Sequence, residues 1–259
     1  MSSHLPFQPP TEEELEALRT EYIKPCVECG GIGSRVSRKE GGVEFITCSC
    51  AHRCNEELKW VLAGIPPRLR KWKMGQLSAE FIQNNTYAVS EIQTYQRAIK
   101  LNCKEGNGLF LCSGNGLAKS SIAAALLKEA IGIGLQGAYL SAPDLVNLLF
   151  QRISSNNSDA AEIYSELTNG RARIIVVDEI DKIYTKGNDS FGFNSVSAFF
   201  NSLYNNLVAL VVCSNISIVQ LQAKKSLDDS VIDRLRELKP LTFLGQSHRI
   251  TKPTDDEVL

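Results

Sequence analysis

The 259-residue sequence has little net charge of either sign: 28 lysines and arginines stand against 29 aspartates and glutamates, a formal balance of -1. A chain so balanced has no global attraction to nucleic acid or to an anionic membrane, so either contact has to come from a local patch. Long apolar runs are missing as well. No stretch approaches the roughly twenty residues that span a bilayer, and Met1-Ser-Ser-His-Leu-Pro-Phe7 lacks the charged start and apolar core of a secretory leader. The expectation is a soluble, cytoplasmic protein with no membrane partner. Disordered and fibrous classes are excluded by an apolar content of 43%, enough for one large domain and a small one.

Cysteine is not scarce, but its placement argues against a disulfide framework. Five of the eight cysteines crowd between Cys26 and Cys54, while Cys103, Cys112 and Cys213 lie in apolar contexts and read as small buried hydrophobes. Cys26-Val-Glu-Cys29 and Cys48-Ser-Cys50 place two thiol pairs on opposing turns, joined by a stretch with Gly30, Gly31 and Gly33 and a short strand at Val43 to Ile46. Four thiolates at this spacing suit a closed, tetrahedral, structural Zn2+ site, and the metal would be the core of a segment with too few apolar residues to fold alone. Cys26, Cys29, Cys48 and Cys50 are the favoured ligands. Cys54 and His52 are alternatives for the fourth position.

A second constellation starts at residue 109. Leu109-Phe-Leu-Cys-Ser-Gly-Asn-Gly-Leu-Ala-Lys-Ser-Ser121, followed by the apolar run Ile122 to Ile131, reads as a buried strand, a glycine-bearing loop and a helix. In such a loop, backbone amides of Ser113, Gly114, Asn115, Gly116, Leu117 and Ala118 and the helix N-terminus at Ser121 cradle phosphates. Lys119 reaches the β and γ phosphates, and Ser120 ligates Mg2+. Ser113 and Ala118 stand where the G-x-x-x-x-G-K-[ST] pattern has its glycines. If position 118 needs a left-handed backbone, alanine costs roughly 1–2 kcal/mol there. About sixty residues on, Arg173-Ile-Ile-Val-Val-Asp-Glu179 is a β-branched strand ending in two acids. Asp178 would hold magnesium through water, and Glu179 would polarise the water that attacks the γ-phosphate of ATP.

The rest of the chain supplies the frame. A helical pattern runs from Glu12 to Tyr22, another from Asn55 to Ala63, and Gly64-Ile-Pro-Pro67 breaks the second. Arg68-Leu-Arg-Lys-Trp-Lys73 carries four cations and one aromatic, either a nucleic-acid contact or a solvated face. From residue 109 onward strands and helices alternate, with strands expected at 109–112, 137–141, 174–177, 207–215 and 241–243 and helices at 143–153 and 195–204. That predicts an α/β fold, a parallel five-stranded sheet with flanking helices. Ligands bind at the carboxyl ends of such strands, where Ser113, Asp178 and Asn215 fall. Asn215 can orient the attacking water. Asp233-Arg-Leu-Arg236 offers an arginine to a neighbouring subunit's phosphoryl transition state, or else surface ion pairs to Asp233 and Glu237. The expected division is 1–63, a helix and four-cysteine module; 64–108, a linker and helical lead-in; and 109–259, a P-loop ATPase domain.

These features together resemble the AAA+ ATPases of the helicase-loader group, the DnaC and DnaI type, and their transposon relative IstB. The resemblance rests on the cysteine pairs, Gly64-Ile-Pro-Pro-Arg68, the cradle at 113–120, the acidic pair, Cys213-Ser-Asn-Ile-Ser217, Val231-Ile-Asp-Arg-Leu235 and Phe243-Leu-Gly-Gln-Ser-His-Arg249. It implies a P-loop AAA+ domain without a C-terminal helical lid, Ile65 and Pro66 near the nucleotide base, Arg234 as a finger acting in trans, and Arg249 as a sensor of the γ-phosphate. It also implies ATP, Mg2+ and Zn2+ as ligands, and homo-oligomers forming on ATP or DNA. The implied partners are single-stranded DNA and a replicative helicase, or a transposase in the IstB alternative. A further alternative is a nucleotide-poor adaptor whose P-loop is inactive.

Overall fold

The computed structural model describes residues 5–39, 42–154, 158–183 and 190–245. Arg249 lies outside the described residues. At the N-terminus, a capping box between Thr11 and Glu14 opens α1 (Glu12–Leu18). The expected helix to Tyr22 changes its hydrogen-bond pattern part-way, continuing as a wider turn, Arg19–Ile23, closed by Lys24 N–H to Arg19 O at 2.9 Å. An antiparallel hairpin follows, β1 (Ser34–Lys39) and β2 (Gly42–Thr47), with Val36 opposite Phe45. α2 (Ser49–Leu62) starts well before the expected Asn55, because the extended backbone of Cys48 caps it directly.

Pro67 occupies the first turn of α3 (Pro67–Arg70), where its missing N–H costs nothing. α4 (Ala79–Asn84), α5 (Thr86–Arg97) and α6 (Ile99–Glu105) then lead into the sheet. Phe81, Ile92 and Tyr95 of these helices are buried in the same core as Leu109, Leu111 and the apolar residues of α7 (Lys119–Gly132). The other strands and helices are β3 (Leu109–Cys112), β4 (Gln136–Ser141), α8 (Ala142–Ser154), α9 (Ser158–Thr168), β5 (Ala172–Asp178), α10 (Ser190–Asn205), β6 (Ala209–Ser214), α11 (Ile218–Lys224), α12 (Asp229–Glu237) and β7 (Lys239–Thr242).

The five strands from β3 onward form one parallel sheet in the order β4-β5-β6-β3-β7. Alternate side chains divide it into two cores: Ile174 and Val176 face α7, while Ile175 and Val177 face α8 to α10. With both faces covered, the strands read as continuous apolar runs. α7 is apolar nearly all round, burying Ile122, Leu126, Leu127 and Ile131, each worth about 1.5–3 kcal/mol. It lies so close to the sheet that a Cβ on Gly137 would stand 2.5 Å from Leu127 Cδ1 and 2.8 Å from Ile174 O.

Two of the strand starts that differ from expectation have a plain local cause. β6 begins at Ala209 because Leu207, counted as strand for its apolarity, takes φ 51° in the turn after α10. β7 begins at Lys239, whose N–H donates to Gly108 O at 3.1 Å; Pro240 is tolerated because β7 is an edge strand. Among the described residues, no helix is long and apolar enough to cross a membrane.

Candidate functional site

The chain leaves the sheet from β3 and returns at the far edge as β4, so the carboxyl ends of β5 and β6 stand beside the loop that follows β3. Pairing of Cys112 with Ser214 brings Ser113 N–H within 3.3 Å of Ser214 O. The loop then turns through Gly116 at φ 80° and Ala118 at φ 56°, ψ 8°, and α7 begins at Lys119. Position 118 is therefore left-handed, the case in which alanine costs roughly 1–2 kcal/mol.

This arrangement forms a cleft of about 300 Å3. It is lined by Asn115 to Ser121, by Asp178 and Glu179, and by Cys213, Ser214 and Asn215. Arg68, Leu69 and Trp72 close the remaining side. Ser113 and Gly114 belong to the loop without lining the cleft. Ile65, expected near a base, is buried in the same core as the cleft residue Leu69. Two of the four cations of the basic segment are paired within the chain: Arg70 with Glu57 at 3.1 Å and Lys71 with Glu21 at 2.9 Å.

Lys119 is 7% exposed, and its Nζ lies at 2.9–3.1 Å from Ser113 O, Ser113 Oγ, Gly114 O and Asn215 Oδ1. Burial pushes its pKa below the usual lysine value, opposed by the charges of Asp178 and Asp181. Asn215 is held in turn by Asp181, whose carboxylate accepts Asn215 N–H at 2.9 Å and Nδ2–H at 3.0 Å. That leaves the Asn215 carbonyl oxygen facing Lys119. Asp178 Oδ1 accepts Glu179 N–H at 2.9 Å, and Oδ2 accepts the buried Tyr139 hydroxyl. Glu179 takes φ 58° and pairs with Lys182 at 2.7 Å.

The cleft suits a nucleotide triphosphate with magnesium. A lysine, a helix N-terminus and a turn of inward amides present positive potential to phosphates. Ser120 and Asp178 offer oxygen ligands, few in number, as Mg2+ prefers.

A family description supports the same reading: that of the ATPase family associated with various cellular activities (AAA) matches residues 109–243, more than half of the chain. The chain belongs to the AAA family of ATPases. No curated protein matches its sequence. Among solved structures, the AAA fold recurs in the DnaC helicase loader, at 19% identity and TM-score 0.56, over 69% of this chain and 100% of that one. DnaI matches at 14% identity and TM-score 0.55, over 71% and 94%. AMPPCP-bound DnaA from Aquifex aeolicus matches at 16% identity and TM-score 0.56, over 71% and 53%. The chain thus spans about half the length of that DnaA chain and of a second one bound to AMPPCP and single-stranded DNA.

Away from the cleft, the four thiols of Cys26, Cys29, Cys48 and Cys50 lie within 4.8 Å of one another. Cys26 and Cys48 sulfurs are 3.8 Å apart, and those of Cys29 and Cys50 3.5 Å. Bonds of 2.3 Å in a tetrahedron put sulfurs about 3.8 Å apart, so the set fits zinc. The Gly33 amide, 3.2 Å from Cys29 Sγ, pulls that thiol down to about 6. The alternative ligands are corrected: Cys54 is buried with Leu18 and Val61, outside the four, and His52 is exposed.

Arg234 is not in its own chain's cleft. It stacks on Tyr204 at 3.8 Å and pairs with Glu237 at 2.9 Å, while Arg236 pairs with Asp233 at 2.8 Å. Sequence reasoning missed Asp181, Tyr139 and the trio Arg68, Leu69 and Trp72. Asp181 had a signal, one turn beyond the acidic pair. Tyr139 had none beyond strand propensity.

Proposed function

We propose that this AAA ATPase is a helicase loader of the DnaC and DnaI type, using ATP binding and hydrolysis to engage single-stranded DNA and a replicative helicase. The observation that carries this reading is the convergence of Lys119, Ser120, Asp178, Glu179 and Asn215 at one cleft, in a chain that also bears a compact four-cysteine module. The extent of the DnaC and DnaI matches, nearly the whole of those chains, favours a loader over an initiator of DnaA size. The module also exposes Val27, Ile32, Val36 and Phe45, an apolar surface of the kind that marks protein contacts.

In this reading the labour is divided among named residues. Residues 115–121 bind the phosphates, and Lys119, held by Ser113 and Gly114, places its charge on the β and γ groups. Ser120 and Asp178 hold Mg2+, which supplies Lewis-acid neutralisation of the developing phosphoryl charge. Glu179 accepts a proton from the attacking water, and Asn215, steadied by Asp181, orients that water. Arg234 reaches a neighbour's cleft in a homo-oligomer assembled on ATP or DNA, and the resemblance to the loader group assigns the γ-phosphate sensor to Arg249, outside the described residues. Cys26, Cys29, Cys48 and Cys50 hold structural Zn2+.

Co-sedimentation of the chain with a hexameric replicative helicase and single-stranded DNA tests this. ATP-dependent recovery of all three is expected; an inert mixture, or preference for duplex DNA with a transposase, would contradict it. Left-handed Ala118 favours a second reading, an adaptor that uses no nucleotide. Lys119→Ala separates the two, since an adaptor keeps its partner and a loader loses ATP-dependent capture.

A further inference from the structure

A buried asparagine joins the helical lead-in to the chain that leaves the sheet, 159 residues further on. Asn85 is 5% exposed at the junction of α4 and α5, where its N–H donates to Ile82 O at 3.2 Å and its carbonyl accepts Val89 N–H at 2.9 Å. The surrounding core is apolar: Phe81 and Phe243 pack ring against ring, with centroids 5.5 Å apart. A polar side chain is costly there unless it is fully paired, and this one is. Its Nδ2 donates to Phe81 O and to Leu244 O, both at 2.9 Å, and its Oδ1 accepts Leu244 N–H at 2.7 Å.

Exchanging both bonds with one residue is what the opposite member of an antiparallel strand pair does. Asn85 thus prolongs the pairing of the chain beyond β7, where Phe243 N–H still reaches Cys112 O at 2.9 Å. The clamp aims the residue that follows. Gly245 takes φ 132°, and a Cβ there would stand 3.6 Å from Leu117 Cδ2. Leu117 lines the nucleotide cleft. The chain is therefore released beside the phosphate cradle, and the Cα of Arg249, four residues on in sequence, lies within about 14 Å of Gly245 by chain length alone.

We propose that Asn85 is a positioning residue for nucleotide discrimination: its side-chain amide fixes the path of the chain past Leu117 and so delivers Arg249 to the γ-phosphate. This rests on the nucleotide-site reading and on the sensor role that the resemblance to the loader group gives Arg249. Without the clamp the tail starts from a variable point, and ATP loses its advantage over ADP while the cradle itself is intact.

The test is affinity for ATP and for ADP by calorimetry in magnesium chloride, for the full chain, Asn85→Ala, Arg249→Ala and the double variant, with thermal melting of each. Leu244 is 65% exposed, so Leu244→Pro, which deletes the N–H that Asn85 accepts, keeps the test available should the alanine form not fold. Asn85→Ala is expected to cut the ratio of ATP to ADP affinity about tenfold, the loss of one hydrogen bond to a charged group, with ADP affinity unchanged. Arg249→Ala should do the same and the double variant no more, because the two residues act in series. A merely structural asparagine would lower the melting temperature and weaken both nucleotides alike. An unchanged ratio in Asn85→Ala, or a further fall when it is added to Arg249→Ala, would overturn the proposal. A ratio untouched by Arg249→Ala would remove the sensor role and the proposal with it. Absence of binding of either nucleotide by the unmodified chain would instead overturn the nucleotide-site reading itself.

Discussion

Ala118 holds a left-handed backbone at φ 56° in the turn before Lys119, and a methyl group is the whole of its disadvantage there. Glycine relieves roughly 1–2 kcal/mol of strain and returns about 0.5–1 kcal/mol through the greater freedom of the unfolded chain. Ala118→Gly is therefore expected to raise stability by about 1 kcal/mol or less, a gain of roughly 2–4 °C in a melting experiment, and not to weaken ATP binding. A lower melting temperature would show that residue 118 leaves the left-handed region. Asp181 acts through Asn215, whose amide it orients at 2.9 and 3.0 Å. Asp181→Ala is expected to slow ATP hydrolysis about tenfold or more while ATP affinity stays within a few-fold. Equal losses in both would assign Asp181 to folding alone.

At the scale of elements, the side of the cleft made by Arg68, Leu69 and Trp72 depends on α7. Lys128, half-buried, donates to Leu69 O at 3.1 Å, Arg70 O at 2.9 Å and Trp72 O, and lies 5.1 Å from the Trp60 ring. Lys128→Met keeps the stem and removes the charge that gathers those carbonyls. About 2 kcal/mol of stability should be lost in urea denaturation, together with part of the ATP affinity. Unchanged stability would mean water replaces the ammonium at no cost. The difference between what the sequence revealed and what it hid follows the same division. The P-loop, the acidic pair and Asn215 were legible because each ends a buried apolar strand, and strand ends of a parallel sheet share one edge. The helix at Ser158–Thr168 was not foreseen, and Arg68 to Trp72 read as a charge run, because their placement is decided by packing against α7 and by the Glu57 and Glu21 pairs, not by local pattern. Arg70, in a segment read as either a DNA contact or a solvated face, is spent on a largely buried ion pair with Glu57.

At the scale of the whole molecule, the cysteine module and the ATPase sheet are tied together by α2, whose following residue Ala63 accepts Tyr139 N–H of the edge strand β4 at 2.7 Å. The module's own apolar clusters are small, Leu18, Cys54 and Val61 in one and the thiols in the other. A strong chelator is expected to unfold the β1–β2 hairpin and α1 before the five-stranded sheet, giving two transitions in hydrogen exchange where the metal-loaded chain shows one. Simultaneous loss of both would mean that the sheet also depends on the metal. If the proposed trans role holds, Arg234→Ala should leave ATP affinity intact and abolish the DNA-stimulated part of hydrolysis, since its guanidinium lies outside its own cleft. Full stimulation in that variant would remove the trans role and leave Arg234 as the partner of Tyr204 and Glu237.

The central claim, a working nucleotide site in an AAA fold with two glycines replaced, is tested most directly by titrating ATP with magnesium chloride into the full chain and into Lys119→Ala by calorimetry. Saturable one-to-one binding by the first and none by the second is the expected result. Absence of binding by a folded, unmodified chain would contradict the claim and leave the cleft as a relic in an adaptor.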